Sequence, residues 1–163
     1  MKKITIFGNS GSGKSTLANQ LSAKYNLAHL DLDTLAWDKQ NPTIRRSIAE
    51  SKKDIGRFIK ENDNWIIEGC YTDLLNLVVD KSDHLIFLNP GEDICIANCI
   101  KRPWEPHKYN SLEEQNNNLK MLIDWIKQYS VKSDEFSLKA HRKLFDNFKK
   151  NKTEYTSNQI NLL

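Results

Sequence analysis

The stretch Gly8-Asn9-Ser10-Gly11-Ser12-Gly13-Lys14-Ser15-Thr16 constrains this chain more than any other. Its first eight residues fit the phosphate-binding loop pattern (Walker A, G-x-x-x-x-G-K-[ST]) without a mismatch. The flanks agree with it. Ile4-Thr5-Ile6-Phe7 is a short apolar run that predicts a buried strand, and Ser15 to Tyr25 predicts a helix. Strand, glycine loop and helix in succession are the context in which such a loop operates. The loop binds through its backbone: successive N–H groups form a nest for phosphate oxygens, and the helix N-terminus adds unpaired donors and the positive end of its dipole. Gly8, Gly11 and Gly13 supply backbone angles that a Cβ resists. In this pattern Lys14 reaches the terminal phosphates and Ser15 places its hydroxyl on Mg²⁺.

The remainder of the chain supplies strands and helices in alternation. Strands are expected at about Lys3–Phe7, Ala28–Leu32, Trp65–Glu68 and His84–Leu88, with a weaker fifth at Thr153–Thr156. Helices are expected at Ile44 to Glu61, with Ile48, Ile55, Phe58 and Ile59 on one side, and from Glu92 to Lys101, stopped by Pro103. Ser111-x-x-Glu114 reads as a capping box that opens a further helix carrying Leu119, Leu122, Ile123 and Ile126. A last helix over Glu135 to Lys149 places Leu144, Phe145 and Phe148 on one stripe. This alternation argues for one α/β domain: a parallel sheet covered by helices on both faces. At 163 residues the chain is long enough for a real core. Between the fourth strand and the later helices lies Arg102-Pro103-Trp104-Glu105-Pro106-His107-Lys108-Tyr109. Two prolines there break both helix and sheet, and a lid over the phosphates is expected at about 102–118.

A formal net charge of +3 suits a protein that handles phosphates and does not demand nucleic acid. The basic excess lies in the C-terminal half and is too diffuse to argue a nucleic-acid surface. Cys70, Cys95 and Cys99 show no zinc or redox spacing and are expected as buried free thiols. The chain opens directly on a strand and carries no apolar run long enough to span a membrane, so a cytoplasmic protein, monomeric or homodimeric, is expected.

Ligands of a parallel α/β sheet gather at the carboxyl ends of its strands. Asp31 and Asp33 close the second strand, where a period of two points them to one side, and Glu68 closes the third. One such carboxylate is expected to serve Mg²⁺ together with Ser15, and another to take a proton from a substrate hydroxyl. Arg102, with Lys108 and Lys101 behind it, is the candidate to close positive charge on a moving phosphate. Arg45, Arg46 and Arg57 are candidates to hold a second substrate, because the guanidinium fork suits carboxylate or phosphate groups.

The glycine loop, His29-Leu30-Asp31-Leu32-Asp33, Trp65-Ile66-Ile67-Glu68-Gly69, Leu85-Ile86-Phe87-Leu88 and an Arg-Pro lid together resemble the P-loop kinase superfamily. The likeness is to its small adenylate-kinase/shikimate-kinase-like ATPases, a group that includes the DNA-topology modulation proteins, and it covers about residues 1–150. It implies a three-layer fold with strand order 2-3-1-4-5. It also implies ATP and Mg²⁺ as ligands and transfer of the γ-phosphate to a small hydroxyl- or phosphate-bearing acceptor. By position, Asp31 then serves the metal and Asp33 the acceptor, as in the Asp-x-Asp of shikimate kinases. Glu68 stands where adenylate kinases carry a metal-serving Asp, and Arg102 where the superfamily places a lid arginine. Two features differ. Gly69-Cys70-Tyr71 replaces the Gly-Gly-Gly of shikimate kinases, and the Asp-Gly-Phe-Pro-Arg of adenylate kinases is absent, so neither shikimate nor AMP is implied. Two other classes fit less. A nucleotide-dependent regulatory protein with weak ATPase activity needs only the loop. A GTPase would use Asn151-Lys152-Thr153-Glu154, but a helical run precedes that stretch and no Asp-x-x-Gly switch occurs in the chain.

Overall fold

A computed structural model describes residues 2–38, 40–41, 44–106 and 109–158. Five strands form one parallel sheet: β1 (Lys3–Gly8), β2 (Ala28–Asp31), β3 (Trp65–Gly69), β4 (His84–Leu88) and β5 (Asn151–Tyr155). Their order is β2-β3-β1-β4-β5. The order reverses beside β1, so the crevice that ligands favour opens at the end of β1, where the glycine loop begins.

Helices cover both faces. On one, α1 (Lys14–Tyr25) packs Leu17, Ala18 and Leu21 against Ile4, Ile6, Ile66, Ile86 and Leu88. On the other, α2 (Asp33–Ala36), α3 (Ile48–Glu61), α4 (Thr72–Leu75) and α8 (Leu138–Asn147) bring Ala36, Ile55, Leu74, Leu75 and Leu144 into the cluster of Phe7, Trp65, Ile67, Leu85 and Phe87. The Phe7 and Phe87 rings stack with centroids 4.8 Å apart, joining β1 to β4 at the level where the loop leaves the sheet. Deleting such a ring generally costs about 3–5 kcal/mol, so the sheet is a rigid base for the loop. A smaller cluster of Cys95, Cys99 and Ile126 joins α5 (Glu92–Lys101) to α7 (Leu119–Lys127), with α6 (Leu112–Asn117) before it.

Four sequence readings change. First, β2 ends at Asp31: the Asp31 carboxylate accepts the N–H of Asp33 at 2.9 Å, the chain turns, and Asp33 opens α2. The alternation of side chains along a strand therefore does not relate Asp31 to Asp33. Second, α3 begins after Ser47, whose hydroxyl accepts the Glu50 N–H while Glu50 accepts the Ser47 N–H. Ile44 thus lies outside the helix, and Ile44 and Ile48 are exposed, while Ile55 is buried. Third, the helix opened by Ser111 breaks at Asn118 into α6 and α7, and Glu114 receives the N–H of Asn110 in place of that of Ser111. Fourth, the last helix is shorter than read and starts behind Ser137, which caps it. Asn151 to Glu154 lie within β5, the edge strand. No helix among the described residues is long and apolar enough to cross a membrane.

Candidate active site

The glycine loop is held by close packing at Gly8 and Gly11. Gly11 has φ +75°, and a Cβ there would stand 2.3 Å from the Cys95 carbonyl and 2.6 Å from the Cys99 sulfur. Gly8 has φ +154°, and a Cβ would stand 2.1 Å from the Leu88 carbonyl. Both positions demand glycine, once for backbone angle and once for closeness to α5 and β4. Asn98 donates its amide to the Gly11 carbonyl at 2.8 Å, and buried Asn9 donates to the Ile126 carbonyl at 3.3 Å, tying the loop to α5 and α7. Asn9 belongs to the loop pattern, whereas Asn98 lies outside it and was not singled out in the sequence.

The start of α1 is unlike the starts of α3, α6 and α8. Those three are capped by Ser47, Ser111 and Ser137. At α1 the residue before the helix is Gly13, which makes no side-chain cap, and the first turn carries no acidic residue. A helix start left without cap or anion is a place for an external anion. The Lys14 ammonium folds back and donates to the Asn9 carbonyl at 2.9 Å.

A cleft of about 580 Å³ runs from the loop across the strand ends. Residues 10 to 17 form its floor, Asp33, Glu68 and Cys70 one wall, and Asn98, Lys101, Arg102 and Tyr109 the other. The structure thus brings Lys14, Ser15, Asp33, Glu68 and Arg102 to one cavity. Asp31 does not line it, although it stands beside Glu68 in strand register. Arg45, Arg46 and Arg57 do not line it either. Lys108 lies outside the described residues.

Glu68 is buried to 1% exposure at the end of β3. Its nearest basic neighbour is the His29 imidazole, 3.5 Å from Oε1, and that oxygen has no hydrogen-bond partner. A buried carboxylate oxygen so placed, in the same cleft as the Ser15 hydroxyl, fits a hard cation and its waters. Among the described residues no three His, Cys, Asp or Glu side chains converge as a ready-made metal centre.

Asp33 is held by a group that the sequence did not advertise. The Tyr71 hydroxyl donates to its Oδ1 at 2.6 Å and accepts the Trp37 indole N–H at 2.8 Å. On the opposite wall the Arg102 guanidinium pairs with Glu105 at 2.9 Å and lies over the Tyr109 ring at 5.6 Å. Cys70 is half-buried in the turn after β3, not fully buried as expected, whereas Cys95 and Cys99 are buried. Burial pushes the Cys70 thiol up to about 12. The raised value favours the protonated thiol at neutral pH, although Cys70 lines the cleft.

The turn that carries Cys70 is fixed from below by His141. This imidazole is fully buried against Phe7 and Phe87. Its Nε2–H donates to the Cys70 carbonyl at 2.9 Å, so Nδ1 accepts the Tyr129 hydroxyl proton at 2.6 Å. Burial lowers its pKa to about 4. Because an unfolded histidine titrates near 6.5, the unfolded chain takes up the proton first as pH falls. The stability held by neutral His141 is complete above pH 6.5 and is lost between there and about pH 4, on the order of 3 kcal/mol in all. Urea midpoints should drop across that window, and His141→Gln should drop clearly less. Equal losses in the two proteins would show that His141 does not set this sensitivity.

Glycine loop after β1, sheet order β2-β3-β1-β4-β5 and flanking helices make a P-loop α/β fold. Among solved structures the chain is similar to an unliganded sugar kinase from Janibacter sp. HTCC2649, with TM-score 0.51 and 11% identity over 95% of this chain and 84% of that one. In sequence it is 29% identical over 131 residues to the uncharacterized protein YqaC of Bacillus subtilis (strain 168), covering 78% of this chain and 72% of YqaC. It is 22% identical over 156 residues to an adenylate kinase of Prochlorococcus marinus (strain NATL1A), covering 81% and 80%. No family model matches the chain.

Proposed function

We propose that this protein is an ATP- and Mg²⁺-dependent phosphotransferase that moves the γ-phosphate of ATP to a small acceptor bearing a hydroxyl or phosphate. One observation carries the reading. A single cleft joins an uncapped phosphate loop to two carboxylates on one wall and an arginine on the other. Phosphoryl transfer asks little covalent chemistry of a protein and much positioning and charge stabilisation. This cleft is furnished for both.

In this reading the backbone of residues 8 to 16 and the start of α1 hold the phosphates. Lys14 swings from the Asn9 carbonyl onto their oxygens. Ser15 and Glu68 would hold the metal, with Asp31 behind them, and the metal would supply positive charge against the phosphates. Asp33 orients the acceptor hydroxyl and takes its proton, within the roughly 10²–10⁴-fold that a positioned base supplies. Arg102 exchanges Glu105 for the phosphate as the lid closes.

The test is ADP release from ATP·Mg²⁺, with and without a panel of small acceptors. Stimulation by any of them, with phosphate recovered on the acceptor, supports the phosphotransferase. Tight ATP binding with no turnover across a broad panel would sink it and leave a nucleotide-dependent binding protein.

A further inference from the structure

Two buried polar atoms face each other between β2 and β3. Glu68 Oε1 has no hydrogen-bond partner, and neither has Nε2 of His29. They stand 3.5 Å apart. Orphaned polar atoms are rare in a folded interior, because each gives up its hydration without return. A metal role for Glu68 accounts for the carboxylate and leaves the histidine unexplained.

The strand register produces the pair. β2 and β3 run parallel, with His29 opposite Ile66 and Asp31 opposite Glu68. Alternate side chains of a strand share a face, so these four lie on one side of the sheet. It is the side covered by α1, since Ile66 belongs to the cluster that Leu17 and Leu21 fill. Ser15 lies in the first turn of that helix. Glu68 lines the cleft and His29 does not. The imidazole therefore stands behind the carboxylate, one pleat back from the end of β2. The third polar group on this face, the Asp31 carboxylate, accepts the Asp33 N–H.

A carboxylate has room for several partners, with two oxygens and about four lone pairs. A hydrogen bond to one of them fixes the rotation of a long side chain and aims the rest. Carboxylates that bind metals are held from behind in this way. His29 has the means to do so. In the neutral Nε2–H tautomer and in the protonated ring alike, Nε2 donates. A small rotation brings the pair within the about 2.7–3.2 Å of a hydrogen bond. A purely structural role explains the pair poorly. An apolar pair of similar shape would fill the same space without the cost of burying a carboxylate.

We propose that His29 is a positioning residue for Glu68: its Nε2–H holds the carboxylate in the orientation that serves the metal of the bound nucleotide. This rests on the metal role given to Glu68 above, and the test separates the two. Mn²⁺ is titrated into protein held in excess over a non-hydrolysable ATP analogue, and free Mn²⁺ is read by electron paramagnetic resonance. Neither turnover nor an acceptor is needed. His29→Leu should weaken Mn²⁺ binding about 10- to 100-fold, the range for a group that supports a metal ligand. ADP affinity in the presence of a chelator should not change, since the glycine loop is untouched. His29→Gln, which offers an amide N–H in place of Nε2–H, should recover most of the Mn²⁺ affinity. In a Glu68→Gln background His29→Leu should cost nothing more, because the group it acts on is gone. Unaltered Mn²⁺ affinity in His29→Leu, equal losses in the leucine and glutamine variants, or a full loss added to that of Glu68→Gln would each refute the positioning role while Glu68 keeps its own. Loss of ADP affinity under chelator in His29→Leu would make His29 a structural support of the whole site and overturn the proposal too. Unaltered Mn²⁺ affinity in Glu68→Gln removes the metal role from Glu68 and this inference with it.

Discussion

Lys14→Ala should lower the rate of ADP release by about 10²–10³-fold, the effect of removing one preorganised charge from a developing transition state. The fold should survive. Lys14 belongs to none of the three apolar clusters, and its hydrogen bond to the Asn9 carbonyl lies within the loop it serves. That bond keeps the ammonium at the mouth of the loop, so the group is ready at the phosphates without a large search. The loop itself stays in place through contacts that Lys14 does not make: Asn98 on Gly11, Asn9 on Ile126, and the close approach of Gly11 to Cys95. Far-UV circular dichroism and the melting temperature should accordingly match those of the unmodified protein while turnover collapses. Both hydrolysis and transfer should fall, since the same lysine serves both. An unaltered rate would separate the glycine loop from the reaction.

The fold was legible in the sequence because its strands are buried on both faces and read as continuous apolar runs. Trp65 to Ile67 and Leu85 to Leu88 are wholly apolar, and a short run of that kind between polar turns has few other places to go. β5 was harder, since an edge strand of sequence Asn-Lys-Thr-Glu-Tyr is half in water and carries little pattern. Only its C-terminal part was read. The phosphate loop was legible because its chemistry is local: three glycines, a lysine and a serine at fixed spacing determine one backbone shape.

The acceptor side was legible only in part. Asp31-Leu32-Asp33 satisfies a strand repeat and also a turn in which the first Asp accepts the N–H two residues on; the structure takes the turn. No short-range signal joins Trp37 to Tyr71, 34 residues apart, or Tyr71 to Asp33, 38 residues apart. The arginines illustrate the same limit. A guanidinium in the right segment looks available until Asp73 and Glu135, distant in sequence, are seen to hold it. Ile48 fits the apolar stripe of α3, yet Ser47 starts the helix at that point and leaves its first turn beyond the core.

Asp33→Asn isolates the acceptor half. Asparagine has nearly the shape of aspartate, and its Oδ1 can still accept the Tyr71 hydroxyl, so the turn into α2 and the wall of the cleft should persist. What goes is the negative charge and, with it, the ability to take a proton from a hydroxyl. Transfer to the acceptor should fall by about 10²–10⁴-fold. ATP affinity should stay within about threefold, since no phosphate-holding group changes and a half-buried charge across an open cleft is partly screened at physiological salt. Any hydrolysis without acceptor should continue. The two variants then form a pair. Lys14→Ala silences hydrolysis and transfer together, whereas Asp33→Asn silences transfer alone. Should Asp33→Asn weaken ATP·Mg²⁺ binding in step with transfer, Asp33 would belong with Ser15 and Glu68 around the metal, and the proton acceptor would have to be sought elsewhere on the same wall. Full transfer activity would leave no role for Asp33 in the chemistry.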